Sequence, residues 1–114
     1  MKLIITAIQA HARGEIYKVT VDKKTVSILL TFHALDRISK WQLTIHAILQ
    51  ALLFPEEVVR GHRGRFIAHR RAKKHVLRVV YEYEGNMPVA VTVYNPSTDR
   101  YFQGGGIYED RILS

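Results

Sequence analysis

Thr31 to Pro55 reads TFHALDRISKWQLTIHAILQALLFP, and here apolar residues recur at helical spacing. Phe32, Leu35 and Ile38 form one stripe; Ile45, Ile48, Leu49, Leu52 and Leu53 form another. Thr31 and Thr44 each precede a stripe and are suited to accept from the backbone N–H groups of a first helical turn. The spacing predicts helices at about 32–40 and 44–54. Pro55 ends the second or opens a short extra turn through EEVV.

On both sides of this stretch the period is two. EIYKVTVDKKTVSILLT alternates as a hairpin of strands at about 15–22 and 25–31 around Asp22-Lys23-Lys24. Lys2 to Ile8 suits a further strand, with His11 to Gly14 as its connection. After Val59 come RFIAHRR, HVLRVVYEYE, a GNMP turn, VAVTVYN and a candidate strand at RYFQ, before Gly104 to Gly106 break the pattern. The order strands, two helices, strands predicts an α+β fold: two helices on one face of a twisted antiparallel sheet, with an extra N-terminal β-hairpin. One domain spans 1–114, residues 1–30 being an N-terminal strand extension and 31–114 the core.

Alternation also assigns faces. Leu77, Val79, Tyr81 and Tyr83 belong against the helices, as do Val89, Val91 and Val93. Arg78, Val80 and Glu82 then share the other face with Ala90, Thr92 and Tyr94. Arg78 is unusual between Leu77 and Val79, since a cation in mid-strand requires an open face or a partner, Glu82 being one choice. His33 and Arg37 stand one helical turn apart and share a flank, which is equally what a solvated flank would show.

The charge is concentrated. Arg60 to His75, RGHRGRFIAHRRAKKH, holds seven Arg or Lys, three His and no acid; the other 98 residues carry ten bases and ten acids, so the whole +7 resides in these sixteen. Interleaved Phe66, Ile67 and Ala68 make this a folded strand-turn-strand rather than a tail. His69 can lie on either face of it. Such a patch suits an anionic partner, RNA or an acidic protein. Gly61-x-x-Gly64 has the spacing of a KH clamp, but a strand follows where a helix is required.

The absence of cysteine excludes disulfides and thiolate chemistry, and the six histidines lack metal-ligand spacing, so neither metal nor cofactor is expected. No apolar run is long enough to cross a membrane. The apolar core of the N-terminal segment, Leu3 to Ile8, is short for a secretion signal. A cytoplasmic protein is expected.

FHALDRISK, the helix ending at Pro55, RFIAHRR, HVLRVVYEYE, VAVTVYNP and RYFQGGG together resemble the small RelE/ParE-like toxins, closest to an uncharacterised subfamily with a His-Ala-x-x-Arg helix. The resemblance covers Leu30 to Leu113; the strands before Thr31 depart from its shortest members. It implies a microbial toxin–antitoxin component, either a metal-independent endoribonuclease acting on free or ribosome-bound mRNA, or a non-catalytic RNA-binding or ParE-like protein-inhibiting module. Metal-free cleavage requires a base for the ribose 2′-OH, cations for the phosphorane and an acid for the leaving oxygen. The candidate catalytic residues are His33, Arg37, Arg78 and Tyr94. Arg65, His69, Arg70, Arg71, Lys73, Lys74 and Arg100 are the candidate nucleic-acid contacts. The expected partners are RNA and a small acidic antitoxin lying across Arg60 to His75, with room for an oligomer.

Overall fold

The computed structural model describes residues 2–97 and 100–114. Nine elements follow the chain: β1 (Leu3–His11), β2 (Gly14–Val21), β3 (Lys24–Thr31), α1 (Phe32–Lys40), α2 (Ile45–Leu53), β4 (Glu57–Arg60), β5 (Phe66–Ala72), β6 (His75–Glu84) and β7 (Met87–Tyr94). No helix among the described residues is long and apolar enough to cross a membrane.

The helices begin where capping chemistry puts them. Thr31 Oγ1 accepts from Ala34 N at 3.1 Å and also reaches Ala90 O and Val91 O, so one hydroxyl ends β3, caps α1 and ties both to β7. Thr44 Oγ1 accepts from Ala47 N at 3.0 Å to cap α2. The apolar stripe of α2 buries Ile48, Leu49, Leu52 and Leu53 against the sheet.

The sheet corrects the expected fold. It is one seven-stranded mixed sheet in the order β1-β2-β3-β7-β6-β5-β4, with β3 and β7 parallel. It is not an antiparallel sheet under two dominant helices: the helices are nine residues each and strand outweighs helix. The N-terminal extension is more than a hairpin, supplying a three-stranded meander. Alternation marks a strand and its two faces, but carries nothing about which strand lies beside it or in which direction. Glu57 to Val59 of the EEVV segment belong to strand β4 rather than to a turn, and the RYFQ candidate is not a strand.

Close approach fixes one glycine. Gly14 lies opposite Thr31, where an added Cβ would fall 2.0 Å from the Leu30 carbonyl oxygen. Only glycine fits there without displacing backbone.

A β-bulge corrects the face assignment. The β6–β7 register slips between Val80 and Tyr81, so Tyr81 faces Ala90 while Val80 faces Thr92. Val91 is the extra residue, and parity flips across it. Ala90 and Val93 therefore join Leu77, Val79 and Tyr81 in the helix-side core, whereas Val89 does not. Tyr83 also leaves the predicted core: 37% exposed, it donates to Asp110 Oδ2 at 2.6 Å.

Candidate functional site

The face away from the helices carries a row of polar residues across four strands. Glu57 on β4 registers with His69 on β5, His69 with Arg78 on β6, and Arg78 with Tyr94 on β7. Cross-strand neighbours stand close enough for direct side-chain contact, and three of the four are bonded in sequence.

Glu57 and His69 are fully buried. Glu57 Oε2 lies 2.6 Å from His69 Nδ1 and accepts from Gln103 N at 2.8 Å, while Oε1 accepts from Gly105 N at 2.9 Å. Burial raises the carboxyl pKa, but the Gln103, His69 and Gly105 donors outweigh it and hold the group below the usual carboxylate range. His69 Nε2 lies 3.1 Å from Arg78 Nη1. A guanidinium can only donate, so Nε2 accepts and the ring proton sits on Nδ1, directed at Glu57. Burial lowers the His69 pKa, in keeping with a neutral ring. The result is a relay of carboxylate, neutral imidazole and guanidinium, with the carboxylate balancing the half-buried cation.

Arg78 is the end of this relay that meets solvent. Its guanidinium lies 4.2 Å from the centroid of the Tyr101 ring. Burial lowers its pKa against opposing pulls from Tyr101 and Tyr94, yet a guanidinium stays charged at neutral pH. It lines two adjoining clefts. One, of about 450 Å³, is walled by Trp41, Tyr94, Asn95, Pro96 and Tyr101. The other, of about 460 Å³, is walled by His62, Arg63, Arg65, Thr92 and Tyr94, among others. A fixed cation between exposed aromatic rings and a basic loop is suited to a phosphate carrying a planar base.

The α1 flank approaches the same region. β3 pairs with β7 only through Leu29–Val89 and Leu30–Ala90, so β7 continues past its partner toward Tyr94. His33 Nε2 lies 3.0 Å from Thr92 Oγ1 along that continuation. Arg37 follows one turn later, its Nε buried without a hydrogen-bond partner among the described residues. Trp41, another turn on, is a cleft wall.

The predicted nucleic-acid contacts divide. His69 is buried with both ring nitrogens engaged, so it positions Arg78 and touches no ligand. Arg65 takes Glu82, at 2.7 Å, leaving Arg78 without the acid the sequence offered it. Arg70 donates to Phe54 O at 2.7 Å, and Arg71 pairs with Glu56 and packs over Phe102. Both are bound into the fold more than a solvated patch would be. Lys73 and Lys74 are exposed at the β5–β6 turn, Lys73 with φ 58°. Arg100 donates to Tyr101 Oη at 2.7 Å, and with Arg78 nearby the phenol pKa is lowered.

Sequence reasoning missed Glu57, Trp41 and Tyr101. An acid directly before Val58-Val59 was a signal for Glu57, once those residues are read as a strand rather than a turn. Trp41, the single tryptophan, and Tyr101 carry no signal without the fold. Among the described residues, no group of three or more His, Asp or Glu is arranged to hold a metal ion.

No curated protein and no solved structure matches the chain. Residues 30–95 match the family described as a domain of unknown function, DUF4258. That span runs from the end of β3 to just past β7 and includes Glu57, His69, Arg78 and Tyr94. On this match over more than half its length, the chain belongs to the DUF4258 family.

Proposed function

We propose that the clefts around Arg78 bind an RNA backbone, and that the chain is a toxin-like, metal-independent endoribonuclease acting on mRNA in the cytoplasm. The observation that carries this reading is the relay from Glu57 through His69, which presents one fixed guanidinium at the mouth of two clefts. Buried polar groups are expensive, and here Glu57 and His69 are fully buried behind the half-buried Arg78. Arg78 grips the scissile phosphate and stabilises the charge that builds on it. His33 takes the proton of the 2′-OH, whose oxygen attacks phosphorus. The bond to the 5′-oxygen breaks as Tyr94 protonates it, leaving a 2′,3′-cyclic phosphate and a free 5′-OH. Arg37 supports the phosphate from the α1 flank. Arg63, Arg100, Lys73 and Lys74 hold neighbouring phosphates, and a small acidic antitoxin masks the basic surface.

One observation favours a second reading. His69, the imidazole in contact with Arg78, has no nitrogen left for proton transfer, which suits a non-catalytic RNA-binding or protein-inhibiting module. Incubating the purified chain with labelled mRNA, with and without ribosomes, separates the two. Cleavage that falls at least tenfold in Arg78→Ala and His33→Ala supports the nuclease. RNA retained without cleavage supports the binding module, and full cleavage by both variants overturns the assigned site.

A further inference from the structure

The two edges of the sheet are finished differently. At β4, Val58 donates to Ile107 O at 2.8 Å and accepts from Glu109 N at 2.9 Å, and Tyr108 forms a parallel bridge to Val58. The C-terminal segment thus closes that edge. At the other end β1 pairs with β2 alone among the described residues. Its outward N–H and C=O groups are a template for another strand.

One guard is present, the β-bulge at Thr6, and the other usual ones are missing. Open edges are normally guarded by Lys, Pro, a β-bulge, inward charge or a very short strand. β1 is nine residues long and reads LIITAIQAH, with no Lys, Arg, Asp, Glu or Pro. Its one irregularity is the register shift between Ile5 and Ala7. Ile4 and Ile8 are 53% and 59% exposed. Ile8 registers with the core residue Tyr17 and Ile4 with Thr20, so the two isoleucines stand on opposite faces. Apolar surface therefore borders the open backbone both above and below.

We propose that β1 is a self-association edge: the β1 strands of two copies pair antiparallel about a two-fold axis and join two seven-stranded sheets into one. An uncharged apolar strand presents nothing for a charged partner to read, yet is complementary to itself, the condition of an isologous contact. Electrostatics permits it. The excess charge lies on β4, β5, the start of β6 and their loops, four to six strands from β1 in the sheet order. At roughly 4.8 Å per strand that is on the order of 20–30 Å, beyond a Debye length of about 8 Å. Two copies can meet at β1 with both basic regions facing outward and both Arg78 clefts free.

The test is light-scattering mass across a concentration series, paired with amide hydrogen exchange of the wild-type chain. The mass should rise toward twice the 13.1 kDa monomer, and β1 amides should slow at high concentration only. Ile4→Lys combined with Ile8→Lys should hold the monomer mass with unchanged circular dichroism. Phe32→Lys, an equally exposed site on α1, should dimerise like the wild type. A wild type that stays monomeric at about 1 mM, or a dimer whose β1 amides exchange freely, overturns the proposal. So does a folded Ile4/Ile8 variant that still dimerises.

Discussion

The β1–β3 meander and the β4–β7 half occupy one sheet but are stabilised differently. The meander is held by apolar contact and turn geometry: Leu3, Tyr17, Val19, Val21, Ile28 and Leu30 are buried, and Gly14 admits the close pass of β3. The other half spends burial on polar groups, with Glu57 and His69 fully enclosed to hold a cation at the surface. A region that only has to fold can be repacked by volume. A region built around a satisfied buried network loses stability when a member is removed and its partner is left unpaired. The difference is why the proposed site is placed in the β4–β7 half.

The largest break should come at Glu57. Glu57→Ala removes the acceptor of three hydrogen bonds and strands the buried His69 Nδ1–H and the Gln103 and Gly105 N–H groups. A loss of about 3–5 kcal/mol is expected by urea denaturation, while the exposed Lys18→Ala on the meander should stay within about 0.5 kcal/mol. In the meander the sensitive point is volume. Gly14→Ala places a methyl against the Leu30 carbonyl, and about 1–3 kcal/mol should be lost by the same measurement.

pH sharpens the comparison. His69 has a folded pKa below its ordinary 6.5, the first cause being burial. Folding therefore favours its neutral form, and that stability is complete above the unfolded value and drains as pH falls below it. The Glu57 carboxyl is likewise depressed, so its share is lost lower, as pH drops from the ordinary 4.5. The thermal midpoint should be level above about pH 7 and fall as pH drops below about 6.5, and His69→Gln should flatten that limb. Within the β4–β7 half the smallest effect belongs to Arg65. Its pair with Glu82 is 39% and 42% exposed, so Arg65→Ala should cost under about 1 kcal/mol.

Legibility in the sequence followed locality. Both helices, the β2–β3 hairpin and the helix-side set Leu77, Val79 and Tyr81 depend on neighbours within a few residues, and the residues announce them. The parallel β3–β7 contact does not, because it joins segments 60 residues apart and alternation is blind to direction. The Val91 bulge was hidden for a related reason: a run of VAVTV keeps its period on paper while the backbone slips. Arg78 and Tyr94 were legible as neighbours on one face. What holds Arg78 was not, since Glu57 and His69 meet it only through strand register.

The claim that most needs testing is that Arg78 is the phosphate anchor. The direct measurement is fluorescence anisotropy of a labelled single-stranded RNA titrated with wild type and Arg78→Ala over a range of salt. At least a tenfold weaker Kd is expected for the variant, about 1.4 kcal/mol. The slope of log K against log salt should shrink by about 0.7, as expected for one lost phosphate contact. A folded Arg78→Ala protein that binds with the wild-type Kd and the wild-type salt slope would contradict it.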